Sequence, residues 1–136
     1  MSGETNLVAL LSKMKPFLHE ESYVFVSVPE SFQIDLAIVH GTFKEKEGTT
    51  LILKKENADN LNLNYDYVAS CITLMVHSSL QSVGLTAAIS NAMAEEQISC
   101  NVVAAYYHDH IFVDKLDAKK AMNVLLKMTH TTKLKK

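Results

Sequence analysis

Val68 to His77 reads as a strand with Ile72, Leu74 and Val76 at alternate positions, and from Ser82 onward apolar residues recur at helical spacing. This switch of period constrains the fold more than any other feature, because a strand repeats every second residue and a helix every ~3.6. Val68, Ser70, Ile72, Leu74 and Val76 share one face of a long, central strand, with Cys71, Thr73, Met75 and His77 on the other. Leu85, Ala88, Ile89, Ala92 and Met93 then form a helical stripe that ends near Glu96. Strands at Ser99 to Tyr107 and His110 to Val113 follow, joined at His108 and Asp109. A last helix opens near Asp117, a suitable N-cap, and buries Ala118, Ala121, Met122 and Leu125. The second half therefore reads βαββα.

Upstream the pattern is shorter. Leu7, Leu10, Leu11 and Met14 share one helical face until Pro16 ends the run. Tyr23 to Val28 is apolar on both faces and suits a buried strand. Leu36 to Phe43 and Thr49 to Lys54 read as a hairpin about the polar turn Glu45 to Gly48. A helical turn at Glu56 to Leu61 leads into a connector rich in asparagine (Asn57, Asn60, Asn62, Asn64), which sets the expected halves at 1–62 and 63–136. The stretch Leu51 to Ala58 echoes Ile111 to Ala118, each a strand leading into a helix. On that reading the first half is an abbreviated copy. Its strand-to-helix unit has shrunk to Pro29 to Gln33, and helix one is available to fill the gap.

Composition narrows the function. With 136 residues, 48% apolar and 21% charged, the chain can bury a core. All 13 basic residues are lysines, the net charge is −2, and there is no arginine to grip phosphates or guanine edges in two places at once. No nucleic-acid partner is expected, and the terminal Lys133, Lys135 and Lys136 receive no function. No run approaches the ~20 apolar residues that cross a bilayer, and Met1 to Lys15 lacks an export pattern, so a cytoplasmic protein without membrane contact is expected. Cys71 and Cys100 form no CxxC motif and read as reduced, buried thiols.

The segment His77-Ser78-Ser79-Leu80-Gln81-Ser82-Val83-Gly84-Leu85-Thr86-Ala87-Ala88, with Ile98 to Val113 after it, resembles a family of small standalone bacterial ACT-domain proteins. Tyr23-Val24-Phe25 and Thr42 to Thr50 resemble it too, so the likeness runs from about Met14 to Met128. It implies an α+β chain of tandem ferredoxin-like βαββαβ units, with antiparallel sheets and helices packed on one face. It also implies homo-oligomers, dimer or tetramer, and a regulatory role, since ACT domains bind amino acids or similar ligands where two domains meet. Two departures stand out. The first copy lacks a strand-glycine-helix segment, and no final strand is visible after Met128.

The turn from His77 to Thr86 is the candidate ligand site. A helix N-terminus offers unpaired N–H groups and partial positive charge, so a carboxylate can bind there without arginine. Gly84 lets a ligand approach the backbone, between Val83 and Leu85; Ser78, Ser79 and Thr86 add hydroxyls, and Asn101 adds a donor and an acceptor. The structural alternative is that Gly84 permits close packing, the serines cap the helix and Asn101 ties down a loop. His108-Asp109-His110 is a second constellation. Alternate strand positions put both histidines on one side as potential metal ligands, with His77 or Asp114 as further ones, whereas a hairpin turn would make Asp109 an ordinary turn residue. Glu45 and Glu47 flank lysines in a solvated turn and have no catalytic tuning.

These residues favour a non-catalytic regulatory protein that binds a small molecule, an amino acid, and needs no metal or cofactor. The rival is a metal-dependent enzyme using His77, His108 and His110. A third reading is an interaction module without ligand.

Overall fold

The computed structural model describes residues 6–76 and 83–134. The first helix, α1 (Leu7–Lys13), starts where the Asn6 side chain accepts a hydrogen bond from the Ala9 N–H at 3.1 Å. It is followed by β1 (Pro16–Val28), β2 (Val39–Lys44), β3 (Thr49–Lys54), α2 (Lys55–Asn60), β4 (Val68–Leu74), α3 (Leu85–Glu95), β5 (Cys100–Ala104), β6 (Asp109–Asp114) and α4 (Ala118–Leu134). Leu36–Ile38, expected as the start of a strand, is a 3-10 turn capped by Asp35. Asp109, expected in a turn, is the first residue of β6; the turn is Ala105 to His108, where the Ala105 N–H bonds the His108 carbonyl. The cap bond before α4 comes from Asp114, which accepts from the Leu116 N–H at 2.8 Å.

The strands make one antiparallel sheet in the order β2-β3-β1-β4-β6-β5, not the two small sheets expected. The joint is β1. Its 13 residues begin at Pro16, well before the expected Tyr23, and pair with β4 both as Pro16–Leu18 and as Ser22–Val24. The register shifts between Leu18 and Ser22. This is where the polar Glu20-Glu21-Ser22 interrupts the apolar run, which is why the pattern alone shows only the second part of the strand.

About the β1–β4 seam the order is mirrored: β3 then β2 on one side, β6 then β5 on the other. A ferredoxin-like unit needs a fourth strand beside its first. Here each half's first strand takes that place for the other half, so no strand is required after Met128. The chain continues instead as α4.

All helices pack on one face. Beneath α1, α3 and α4, the second half buries Leu10, Met14, Ile72, Leu74, Ile89, Met93, Ile111 and Leu125, each at 0 or 1% exposure. Each such side chain contributes about 1.5–3 kcal/mol on leaving water. Helix one therefore belongs to this cluster and does not fill the gap in the first half. That gap is covered by chain without a helix: Phe32 and Ile34 pack on Val24, Val26, Val28, Leu51, Leu53 and Ala58. The opposite face carries no helix and presents Tyr23, Phe25, Ile52, Cys71 and Phe112. Among the described residues no helix is long and apolar enough to cross a membrane.

Candidate functional site

The mouth of α3 is built by Gly84. Its φ of +98° is the left-handed conformation that glycine adopts without penalty, and it turns the chain into the helix. Leu85 follows with 2% exposure, so its side chain belongs to the core and only its N–H faces the mouth. Val83 is 83% exposed, and Thr86 is exposed on the first turn. Leu7 of α1 closes in from one side: a Cβ on Gly84 would stand 3.3 Å from Leu7 Cδ2.

The first helical bond runs from the Ala88 N–H to the Gly84 carbonyl at 2.9 Å. Among the described residues, none accepts from the N–H groups of Leu85, Thr86 or Ala87. The first turn holds no acidic residue either. Three amides and the positive end of an 11-residue helix thus converge without a carboxylate of the protein's own among those residues. That arrangement can hold a small anion such as the carboxylate of a free amino acid.

Two of the expected partners, Ser78 and Ser79, lie outside the described residues, as does His77. Asn101 is exposed on β5 opposite Phe112. Its neighbours Cys100 and Val102 face the helices, so by alternation Asn101 stands on the helix-free face. Within one chain it is therefore not brought to the mouth of α3.

Sequence spacing missed a different meeting on the helix-free face. His19 Nε2 and His110 Nδ1 both bond the Thr73 hydroxyl, at 2.7 and 2.8 Å. His40 packs on the Tyr23 ring at 4.7 Å, and the His108 and His110 rings lie 6.5 Å apart. These groups are 54 and 37 positions from Thr73, and only the strand order joins them. Burial, then the positive potential of neighbouring histidines, lowers the pKa of His110; burial, His19 and Lys54 do the same for His40. Burial pushes Cys71 up to about 11, which makes it a poor nucleophile. Among the described residues, no three histidine, cysteine, aspartate or glutamate side chains are placed to hold a metal ion.

Known proteins give the same picture of the fold. No curated protein matches the chain. A Vibrio cholerae protein of unknown function, described as a possible transport protein, is 44% identical over 90% of this chain and 95% of its own, with a TM-score of 0.81. A protein from Agrobacterium tumefaciens, 16% identical, covers 85% of this chain and 89% of its own at a TM-score of 0.70. The ligand-free regulatory subunit of aspartate kinase from Thermus thermophilus shares the fold at a TM-score of 0.63, with 8% identity over 87% of this chain and 97% of that one. Two models of the ACT domain match, one over residues 2–70 and one over 67–127. They overlap where β4, the strand both halves use, begins. Matched in both halves, the chain belongs to the ACT-domain family.

Proposed function

We propose that this chain is a cytoplasmic regulatory protein with no catalytic step of its own, and that it binds an amino acid at the mouth of α3. The observation that carries this reading is the set of Leu85, Thr86 and Ala87 amides, which no described group of the protein caps. Ser78 and Ser79, which precede it in sequence, would supply hydroxyls to the same ligand, and Val83, Gly84 and Thr86 its rim. Family membership supports a regulatory role, as does the appearance of this fold in a regulatory subunit of aspartate kinase.

The division between the halves falls, on this proposal, between 62 and 63, with the first strands exchanged as fourth strands. Self-association into a dimer or tetramer would use an outer strand of the sheet. Of the two, β2 carries a register shift between Val39 and Gly41 and ends in Lys44, features that blunt an edge. β5 is regular and leaves Val103 38% exposed, so it is the better candidate. Pairing there would place one copy's Asn101 near its partner.

A thermal-shift screen of the common amino acids tests the proposal. A ligand at a hundred times its dissociation constant adds ~2.7 kcal/mol of stability. At least one amino acid is expected to do so, and a flat response to all of them would leave an interaction module without ligand as the better reading.

A further inference from the structure

A cavity of about 600 Å³ lies between α1, α3 and α4. It falls within the ~300–1,000 Å³ range of small-molecule sites. Its apolar surface comes from Leu11, Ala92, Val124 and Met128. Glu95 and Glu96 stand on the α3 side, and Lys120 and Lys127 on the α4 side.

Three of these charges, Glu95, Glu96 and Lys120, oppose the helices that carry them. Carboxylates disfavour the negative C-terminal end of a helix, yet Glu95 ends α3 and Glu96 follows it. Ammonium groups disfavour the positive N-terminal end, yet Lys120 lies in the first turn of α4, which has no acidic residue. Both arrangements cost stability, and the protein does not relieve them by pairing. None of the four side chains forms an ion pair among the described residues, where Lys55–Asp59 is the salt bridge present. A guest with an ammonium group toward the glutamates and a carboxylate toward the lysines would satisfy both ends while laying an apolar side chain on the floor.

We infer that this cleft binds a zwitterionic small molecule with an apolar side chain, such as a free aliphatic amino acid, at a site separate from the mouth of α3. The 11 residues of α3 put its two ends about 15 Å apart, too far for one such ligand to span. The inference does not depend on the site proposed at the other end of the helix.

The test is calorimetric titration of the full chain with L-leucine, L-leucine methyl ester and N-acetyl-L-leucine. Leucine is expected to bind. The ester lacks the carboxylate and the N-acetyl compound lacks the ammonium, and each is expected to bind at least about tenfold more weakly. The double variants Lys120→Ala/Lys127→Ala and Glu95→Gln/Glu96→Gln should each weaken leucine by a similar factor; all four positions are exposed, so folding is not at stake. Absence of heat with leucine at millimolar concentration overturns the inference. So does unchanged leucine binding in both double variants; the heat would then arise elsewhere, and the reading of the α3 mouth would survive.

Discussion

The two halves of the sheet share one strand order about the β1–β4 seam and differ in what lies over them. The second half sits beneath α1, α3 and α4; the first has only α2 and the chain from Pro29 to Ile38. The difference shows how a repeat can shorten without losing its sheet. A strand must be paired along both sides or end as an edge. A helix over the sheet can be replaced by any chain that brings apolar side chains, here Phe32 and Ile34. What the first half forfeits is a counterpart of α3, and with it a helix mouth of the kind at Gly84.

The largest effect expected from this comparison is in the cores. Leu10→Ala and Leu74→Ala, both at 0% exposure under the helices, should each cost about 2–5 kcal/mol in denaturant unfolding. Ile34→Ala in the helix-free cover should cost less, about 1–2 kcal/mol, because that side chain is only partly buried. Equal losses at Leu10 and Ile34 would mean that the loop packs as firmly as a helix.

Next comes Gly84→Ala, which forces a side chain into the left-handed conformation and toward Leu7. A loss of about 1–2 kcal/mol is expected from the backbone alone. A neutral result would show that the turn relaxes and that Gly84 is not needed for its shape.

Protonation probes both halves at once, since His40 lies on β2 and His110 on β6. Each has a folded pKa below its ordinary 6.5, so the unfolded chain takes up protons first as the solution is acidified. Their contribution is complete above about pH 6.5 and is lost as the pH falls from there through the lowered values. Imidazole resonances followed by NMR should titrate below 6.5 for both; either one titrating higher would show its face open to water or paired with an acid.

The smallest effect concerns Tyr67, whose buried hydroxyl has no hydrogen-bond partner among the described residues. Tyr67→Phe removes a desolvated donor and should leave stability unchanged or raise it by up to about 1 kcal/mol in thermal unfolding. A clear loss would reveal a partner for that hydroxyl.

Much of this was legible in the residues. Period two to Leu74 and helical period from Leu85 located β4 and α3, and the match of Leu51 to Ala58 with Ile111 to Ala118 anticipated the equivalent places of β3 and β6. The early part of β1 was not legible, because Glu20 and Glu21 break its alternation and its pairing depends on a strand some fifty residues away. Helix one had the right period but no mark of which half it covers, since an apolar stripe does not name its neighbour. The histidine pair on Thr73 was hidden for the same reason: register across strands β1, β4 and β6 creates it. Gly84 could be found because a left-handed turn leaves few choices besides glycine, whereas the side of β5 on which Asn101 stands emerged only with its pairing to Phe112.

The proposed regulatory function returns to whether the amides that open α3 are available to a guest. Amide NMR of the full chain, titrated with each amino acid that raises its melting temperature, reads this residue by residue. The Leu85, Thr86 and Ala87 resonances should move together and saturate with the ligand. If they stay in place while the protein is demonstrably bound, the α3 mouth is not the site.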